Sequence, residues 1–306
     1  MNDVSHAAAI RGQEHWTGKD GNVKLFMFEK CDGDANNAAG TILFVHGSSM
    51  ASQPTFDLQV EGRPDSSVMD WFARRGFDCW CVDMEGYGRS TKDRDNNAPI
   101  AQGADDCLAA ATYIQRLRGK QPLLVYGISS GALRAALFAQ RYPQLVARLA
   151  LDARCGPARA RRRLPSGERN FPSSKPRIGG RSIRRSSIRS SIAIIPAPPK
   201  RKSSTPSPTP SPRSTVRCRP APMSICAASL VDPEKITVPT LIMRGQWDGI
   251  AGFEDLLAFF ARLPNPDKHF AVMPGISHAS FQQKNYALVY HILWSFFTQP
   301  APIYRG

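Results

Sequence analysis

Leu123-Leu-Val-Tyr-Gly-Ile-Ser-Ser-Gly-Ala-Leu-Arg-Ala-Ala-Leu-Phe-Ala-Gln-Arg-Tyr142 is the stretch from which the rest of the chain is read. An apolar run of strand length, Leu123–Tyr126, meets Gly127-Ile128-Ser129-Ser130-Gly131. A helix-length run follows, apolar at Leu133, Ala136 and Leu137 and polar at Gln140 and Arg141, and Pro143 marks its end. Strand, Gly-x-Ser-x-Gly and helix is the context in which a serine on a tight turn is held up as a nucleophile. So sharp a turn strains the serine backbone and brings strand and helix together, so neighbours without a Cβ are needed. An ordinary glycine-rich turn carries the same letters, and the flanking chain has to decide.

Outward from this stretch, strands alternate with helices. His15 to Glu29 holds two short runs around Lys19-Asp20-Gly21-Asn22, a good hairpin turn. Residues 1–14 read as a flexible tail. Thr41–Val45 is a continuous β-rich run, as expected of a strand buried on both faces, and it ends at His46-Gly47-Ser48-Ser49. Ser67–Arg75 reads as a helix closed by Gly76, Phe77–Asp83 as a strand, and Met84–Ser90 as the turn after it. A long amphipathic helix is expected over Ile100–Leu117 and a strand over Ala147–Asp152. Beyond residue 229 come a strand over Val238–Gly245, a helix over Phe253–Leu263, a strand over His269–Met273 and a closing helix over Ala279–Thr298. This alternation implies right-handed βαβ units and a mostly parallel sheet flanked by helices. Such sheets carry their sites at the carboxyl ends of the strands.

Between Arg154 and Pro222 the pattern fails. Arg, Ser and Pro dominate, with 18 Lys and Arg against a single acidic residue, Glu168. The chain's formal charge is +15, so this block alone accounts for the basicity, and the remainder is slightly acidic. A fold-wide nucleic-acid surface is therefore not expected of the core. The block is poor in apolar residues, too poor to offset its chain entropy, and is expected to be disordered or irregular. Three readings compete: a natural basic insert that binds nucleic acid or anionic surfaces, a phosphorylatable linker, and a shifted reading frame. The third is favoured, because Arg, Pro, Ser and Ala share C/G-rich codons and the edges are abrupt. Sequencing the gene decides it; a restored frame without amphipathic helices removes the idea. Expected domains are thus a tail at 1–14, core segments at 15–153 and 229–300, and an insert at 154–228.

Seven cysteines lie scattered with no paired framework, and no leader-like or membrane-spanning run is present, so a cytoplasmic location is expected. Cys79 and Cys81 flank Trp80; with no partner cluster they read as small buried strand residues rather than a metal pair.

Four motifs, in order, resemble the α/β-hydrolase fold family: His46-Gly47 after an early strand, Asp83-Met-Glu-Gly-Tyr-Gly-Arg-Ser90 after the next, Gly127-Ile-Ser-Ser-Gly131, and Gly245-Gln-Trp-Asp248 with His278 after the last two strands. The resemblance covers Trp16–Ala153 and Val231–Thr298. The family's order of nucleophile, acid and histidine implies Ser129, Asp248 and His278 as a catalytic triad. It implies the backbone N–H groups of Ser48 and Ser130 as an oxyanion hole, and places a substrate-selecting cap where the basic block lies. An impaired or unselective enzyme would follow from the loss of that cap. The chemistry suits these residue types. A serine hydroxyl needs a base to take its proton, an imidazole is suited to that, and a carboxylate fixes the imidazole tautomer. Asp152 also ends a strand and rivals Asp248 as the acid. His6 and His15 read as lying before the fold, His46 as part of the oxyanion loop, and His269 and His291 as core or surface. Asp83 and Arg89 read as structural parts of their turn. Met50, Trp247 and Phe281 flank the motifs as pocket candidates, with buried packing an equal reading.

The expected activity is hydrolysis of a small carboxylic ester through an acyl-enzyme, with no cofactor and no metal. Its rivals are a carbon–carbon bond hydrolase with the same triad, a pseudoenzyme that binds ligand without turnover, and a nucleic-acid binder acting through the basic block.

Overall fold

The computed structural model describes residues 10–48, 50–63, 65–94, 99–154, 230–300 and 303, all within one compact unit of the chain. Apart from Arg154, the basic block and its proposed reading frame lie outside these residues, as do His6 and Ser49.

Eight strands form one sheet: β1 (Gln13–Gly18), β2 (Lys24–Lys30), β3 (Gly40–Val45), β4 (Phe77–Val82), β5 (Leu123–Ile128), β6 (Val146–Asp152), β7 (Thr240–Gly245) and β8 (Lys268–Met273). Their spatial order is β1-β2-β4-β3-β5-β6-β7-β8. β2 pairs antiparallel with both of its neighbours, and β3 to β8 run parallel. From β3 the chain steps outward to β4 and then back across to β5. The strand order therefore reverses between β3 and β5, and in such sheets the crevice at the strands' carboxyl ends there is the natural ligand position. His46-Gly47-Ser48 leaves β3 and Ser129 leaves β5 at that place.

The helices α1 (Ser52–Phe56), α2 (Val68–Ala73), α3 (Ile100–Arg118), α4 (Ser130–Arg141), α5 (Phe253–Ala261) and α6 (Tyr286–Thr298) complete the two outer layers. The side-chain period of two divides each central strand between them. Leu43, Val45, Trp80, Val82 and Val125 pack with residues of α3, α4 and α5. Ile42, Phe44, Cys79, Cys81, Leu124 and Tyr126 pack with residues of α1, α2 and α6. α4 is rich in alanine, and ten of its twelve residues are buried, so short side chains let it lie close against the sheet. Each fully buried aliphatic or aromatic side chain in these layers contributes about 1.5–3 kcal/mol relative to exposure.

Two sequence expectations shift, and one element is new. β1 begins at Gln13, inside the stretch read as a tail, and His15 lies within it rather than before the fold. His15 Nε2 meets Glu29 Oε2 on β2 at 2.8 Å, with Tyr113 of α3 on the other ring nitrogen at 3.2 Å. The closing helix starts at Tyr286 instead of Ala279. A short 3-10 turn, Ser280–Gln282, precedes it, and Gln283 is extended. That turn carries Phe281, which is buried against Tyr126, Phe56 and Tyr290. Helix α1 is the new element, since no expectation covered Ser52–Phe56. Its N-terminus is fixed by Asp83, whose Oδ1 accepts from the Ser52 backbone N–H at 2.7 Å and hydroxyl at 2.6 Å. Cys79 and Cys81 are buried free thiols in β4, both pushed up by burial. No group of metal-binding side chains occurs among the described residues, and no described helix is long and apolar enough to cross a membrane.

Candidate active site

Ser129 stands between β5 and α4 with φ 58° and ψ −123°. A non-glycine residue held there stores about 1–3 kcal/mol of backbone strain. The surroundings fix it. Its N–H donates to the Asp152 carbonyl at 2.9 Å, joining the elbow to the end of β6. A Cβ at Gly127 would stand 2.5 Å from the Gly131 carbonyl oxygen, and one at Gly131 would stand 2.3 Å from the Val45 oxygen and 2.5 Å from the His46 oxygen. Both glycines are therefore needed for close approach. Because backbone atoms cannot give way, Gly131→Ala is expected to destabilise the fold by about 1–3 kcal/mol, read as a lowered urea midpoint; an unchanged midpoint would contradict this packing.

Ser129 Oγ lies 2.9 Å from His278 Nε2. On the other side of the ring, His278 Nδ1 lies 3.0 Å from Asp248 Oδ2 and 3.1 Å from Oδ1. An ionised carboxylate only accepts, so Nδ1 carries the ring proton, and Nε2 of the neutral ring is left to accept from the serine hydroxyl. Asp248 follows β7, and His278 follows β8. Gly245 allows the two loops to meet: a Cβ there would stand 2.6 Å from the carbonyl oxygens of both Ile276 and Ser277. Asp248 is buried, and burial works against its charge. The His278 ring and the N–H groups of Ala251 and Ile250, which donate to Oδ1 at 3.0 and 2.8 Å, outweigh burial and hold the carboxyl below its ordinary range. It is ionised at neutral pH.

Asp152, the rival acid, makes no hydrogen bond to His278. Its Oδ2 accepts from the Tyr126 hydroxyl at 2.7 Å, and burial pushes the carboxyl up to about 6, the Tyr126 bond offsetting part of the rise. The folded chain therefore holds this proton at pH values where the unfolded chain, at 3.8, has released it. Stability falls as pH rises through that window, and the burial penalty is fully present above it. Asp152→Asn is accordingly expected to raise the urea midpoint at pH 8 and to lose that gain toward pH 4, with activity kept within a few-fold. Loss of activity on the scale of Asp248→Asn would return Asp152 to the acid's role.

The loop after β3 approaches the elbow closely. A Cβ on Gly47 would stand 3.0 Å from both the Ile128 oxygen and Ser129 Cβ. The hydroxyls of Ser48 and Ser130 are 2.9 Å apart. Ser130 opens α4, so its N–H has no carbonyl one turn back within the helix, and the positive end of the helix dipole faces the same place. His46 is fully buried. Its Nδ1–H donates to the Gly47 carbonyl at 2.7 Å, and its Nε2 accepts from the Met84 N–H at 3.0 Å. Burial, with the nearby Arg134 cation, pushes its pKa down to about 4, so it is a neutral strut of the loop. Arg134, buried on α4, donates to the His46 carbonyl at 3.1 Å. Asp83 is likewise a strut: beside its bonds to Ser52, its Oδ2 accepts from the Arg89 N–H at 2.8 Å, while the Arg89 side chain pairs with Glu14 on the surface.

The pocket candidates separate. Phe281 is 4% exposed within the aromatic core, whereas Met50 is 39% and Trp247 70% exposed. His269 bonds Asp267 at 3.0 Å, and His291 is exposed on α6. Depressions of 580 Å³, along Lys19, Arg94 and Gln102, and of 410 Å³, along Asn36, Arg118 and Gln121, include none of Ser129, Asp248 or His278.

A parallel sheet that switches direction beside a serine elbow, with a histidine and a carboxylate on the last two strand-end loops, defines an α/β hydrolase. The family model Hydrolase_4, described as serine aminopeptidase S33, matches residues 36–285, and the chain belongs to that family. No curated protein sequence matches it. Among solved structures it is similar to the Pyrococcus furiosus esterase Pf2001, at 14% identity over 94% of this chain and 92% of that one, with a TM-score of 0.58. It is similar to Est1E from Butyrivibrio proteoclasticus, bound to ferulic acid, at 18% identity over 92% and 97%, with a TM-score of 0.57. A thermophilic esterase from Thermogutta terrifontis follows, at 16% identity over 93% and 98%, with a TM-score of 0.56. At such identities the likeness is one of fold.

Proposed function

We propose that this α/β hydrolase cleaves a small carboxylic ester through an acyl-enzyme, with Ser129 as nucleophile, His278 as general base and acid, and Asp248 as the orienting carboxylate. The observation that carries the proposal is the continuous relay from Ser129 Oγ through His278 to Asp248, at 2.9 and 3.0 Å. Ser129 attacks the carbonyl carbon as its proton passes to His278 Nε2. The resulting imidazolium lies against ionised Asp248. The tetrahedral oxyanion is taken by the N–H groups of Ser48 and Ser130, each donor worth about 3–4 kcal/mol in the transition state. His278 then protonates the leaving alcohol. Water attacks the acyl-enzyme by the same sequence in reverse and releases the acid.

The relatives named as esterases favour an ester over an amide, and the family description names a peptidase, so the substrate panel contains both p-nitrophenyl esters and aminoacyl p-nitroanilides. Ester turnover together with labelling of Ser129 by a fluorophosphonate is the expected result. Turnover confined to the anilides would replace the ester by a peptide, and no labelling at Ser129 would remove the serine mechanism. In this reading residues 13–153 and 229–300 make the catalytic core, 154–228 is an insert in the position of a cap, and the protein acts in the cytoplasm.

A further inference from the structure

Arg244 is the next-to-last residue of β7, immediately before the loop that carries Asp248. Its guanidinium is spent on that loop's backbone. Nε donates to the Ala251 carbonyl at 3.0 Å, Nη1 to the carbonyls of Gly245 at 2.9 Å and Gln246 at 3.3 Å, and Nη2 to the Asp248 carbonyl at 2.8 Å. The ring of Phe253 lies 5.7 Å from the guanidinium carbon. One planar cation thus gathers four carbonyls from both sides of Asp248. The opposite polarity of the same loop, the N–H groups of Ile250 and Ala251, points at the Asp248 carboxylate. Ala251 takes part in both sets: its carbonyl is held by Arg244, and its N–H holds Asp248. A fork of five fixed donors suits this arrangement; a lysine ammonium is a point charge with three, and cannot reproduce the planar spread.

We propose that Arg244 is the positioning residue of the catalytic acid: it fixes the turn Gly245–Ala251 so that the Asp248 carboxylate meets His278 Nδ1. This rests on the hydrolase reading above. The role is not legible from spacing, since the partners are main-chain carbonyls.

A double-mutant cycle on short p-nitrophenyl esters tests it. Arg244→Met is expected to lower kcat by on the order of 100-fold with KM little changed, the scale of a misplaced catalytic group, and Arg244→Lys by less. In an Asp248→Asn background the same substitution is expected to change nothing further, because the group through which it acts is already gone. A merely structural arginine would give losses that add. The second readout needs no turnover: the low-field proton NMR signal of His278 Nδ1–H, identified by its loss in Asp248→Asn, is expected to vanish in folded Arg244→Met. Additive losses, or a wild-type kcat and an unchanged low-field signal in Arg244→Met, overturn the proposal. If Arg244→Met does not fold, Arg244→Lys takes its place in both measurements. A wild-type protein without ester turnover or Ser129 labelling would defeat the hydrolase reading, while the NMR comparison would still decide whether Arg244 sets Asp248 against His278.

Discussion

Ser129→Ala is expected to lower kcat toward short p-nitrophenyl esters by on the order of 10⁶-fold, the size of loss seen when a triad acting as one unit is deprived of its nucleophile. The fold is expected to survive. The alanine Cβ occupies the space of the serine Cβ, and the backbone bond from residue 129 to the Asp152 carbonyl is kept. Substrate binding and the proposed oxyanion donors are also left in place, so KM is expected to change little. Steady-state kinetics beside a urea titration measures both quantities. Full activity in Ser129→Ala would show that the elbow is a structural turn, the bland alternative that its glycine pattern admits.

Asp248→Asn is expected to cost about 10⁴-fold in kcat, more than its removal of one charge suggests. The reason is tautomeric. Oδ1 of residue 248 accepts from the N–H groups of Ile250 and Ala251. An asparagine keeps those bonds by presenting its carbonyl oxygen to them, which turns its amide N–H toward His278 Nδ1. That nitrogen then has to accept, the ring proton moves to Nε2, and Nε2 no longer accepts from Ser129. Alkaline pH is not expected to restore the activity, because the defect is the site of the proton on a neutral ring and not the ring's charge. A loss of only a few-fold would mean that another carboxylate serves, and Asp152 is the one to examine first.

The legible parts of this molecule are those whose cause is local or periodic. The elbow is written in Gly127 and Gly131 because a turn with no room for Cβ leaves no other residue type. Asp248 and His278 are legible because parallel strands deliver their functional side chains at their carboxyl ends, and each follows a strand-length apolar run. Other features are set by distant partners. β1 is a polar edge strand, and its His15 becomes intelligible only opposite Glu29 and Tyr113. Helix α1 contains Pro54 and shows no apolar period; Asp83, a strand away, supplies its first hydrogen bonds. The break before α6 depends on Phe281 reaching Tyr126 and Phe56. Arg244 gives no signal in sequence, since its bonds run to carbonyls that every residue possesses. Trp247 next to Asp248 suggests a pocket wall by proximity, yet most of its surface is exposed.

In the proposed mechanism Ser129 carries the acyl group covalently between two half-reactions. Intact-protein and peptide mass spectrometry after acid-quenching a millisecond mixture with a p-nitrophenyl ester tests it most directly. A mass increment equal to the acyl group is expected on the peptide containing Ser129, forming with the burst of nitrophenolate, decaying at the rate of turnover and absent in Ser129→Ala. Turnover without such an adduct, or an adduct on any other residue, would contradict it.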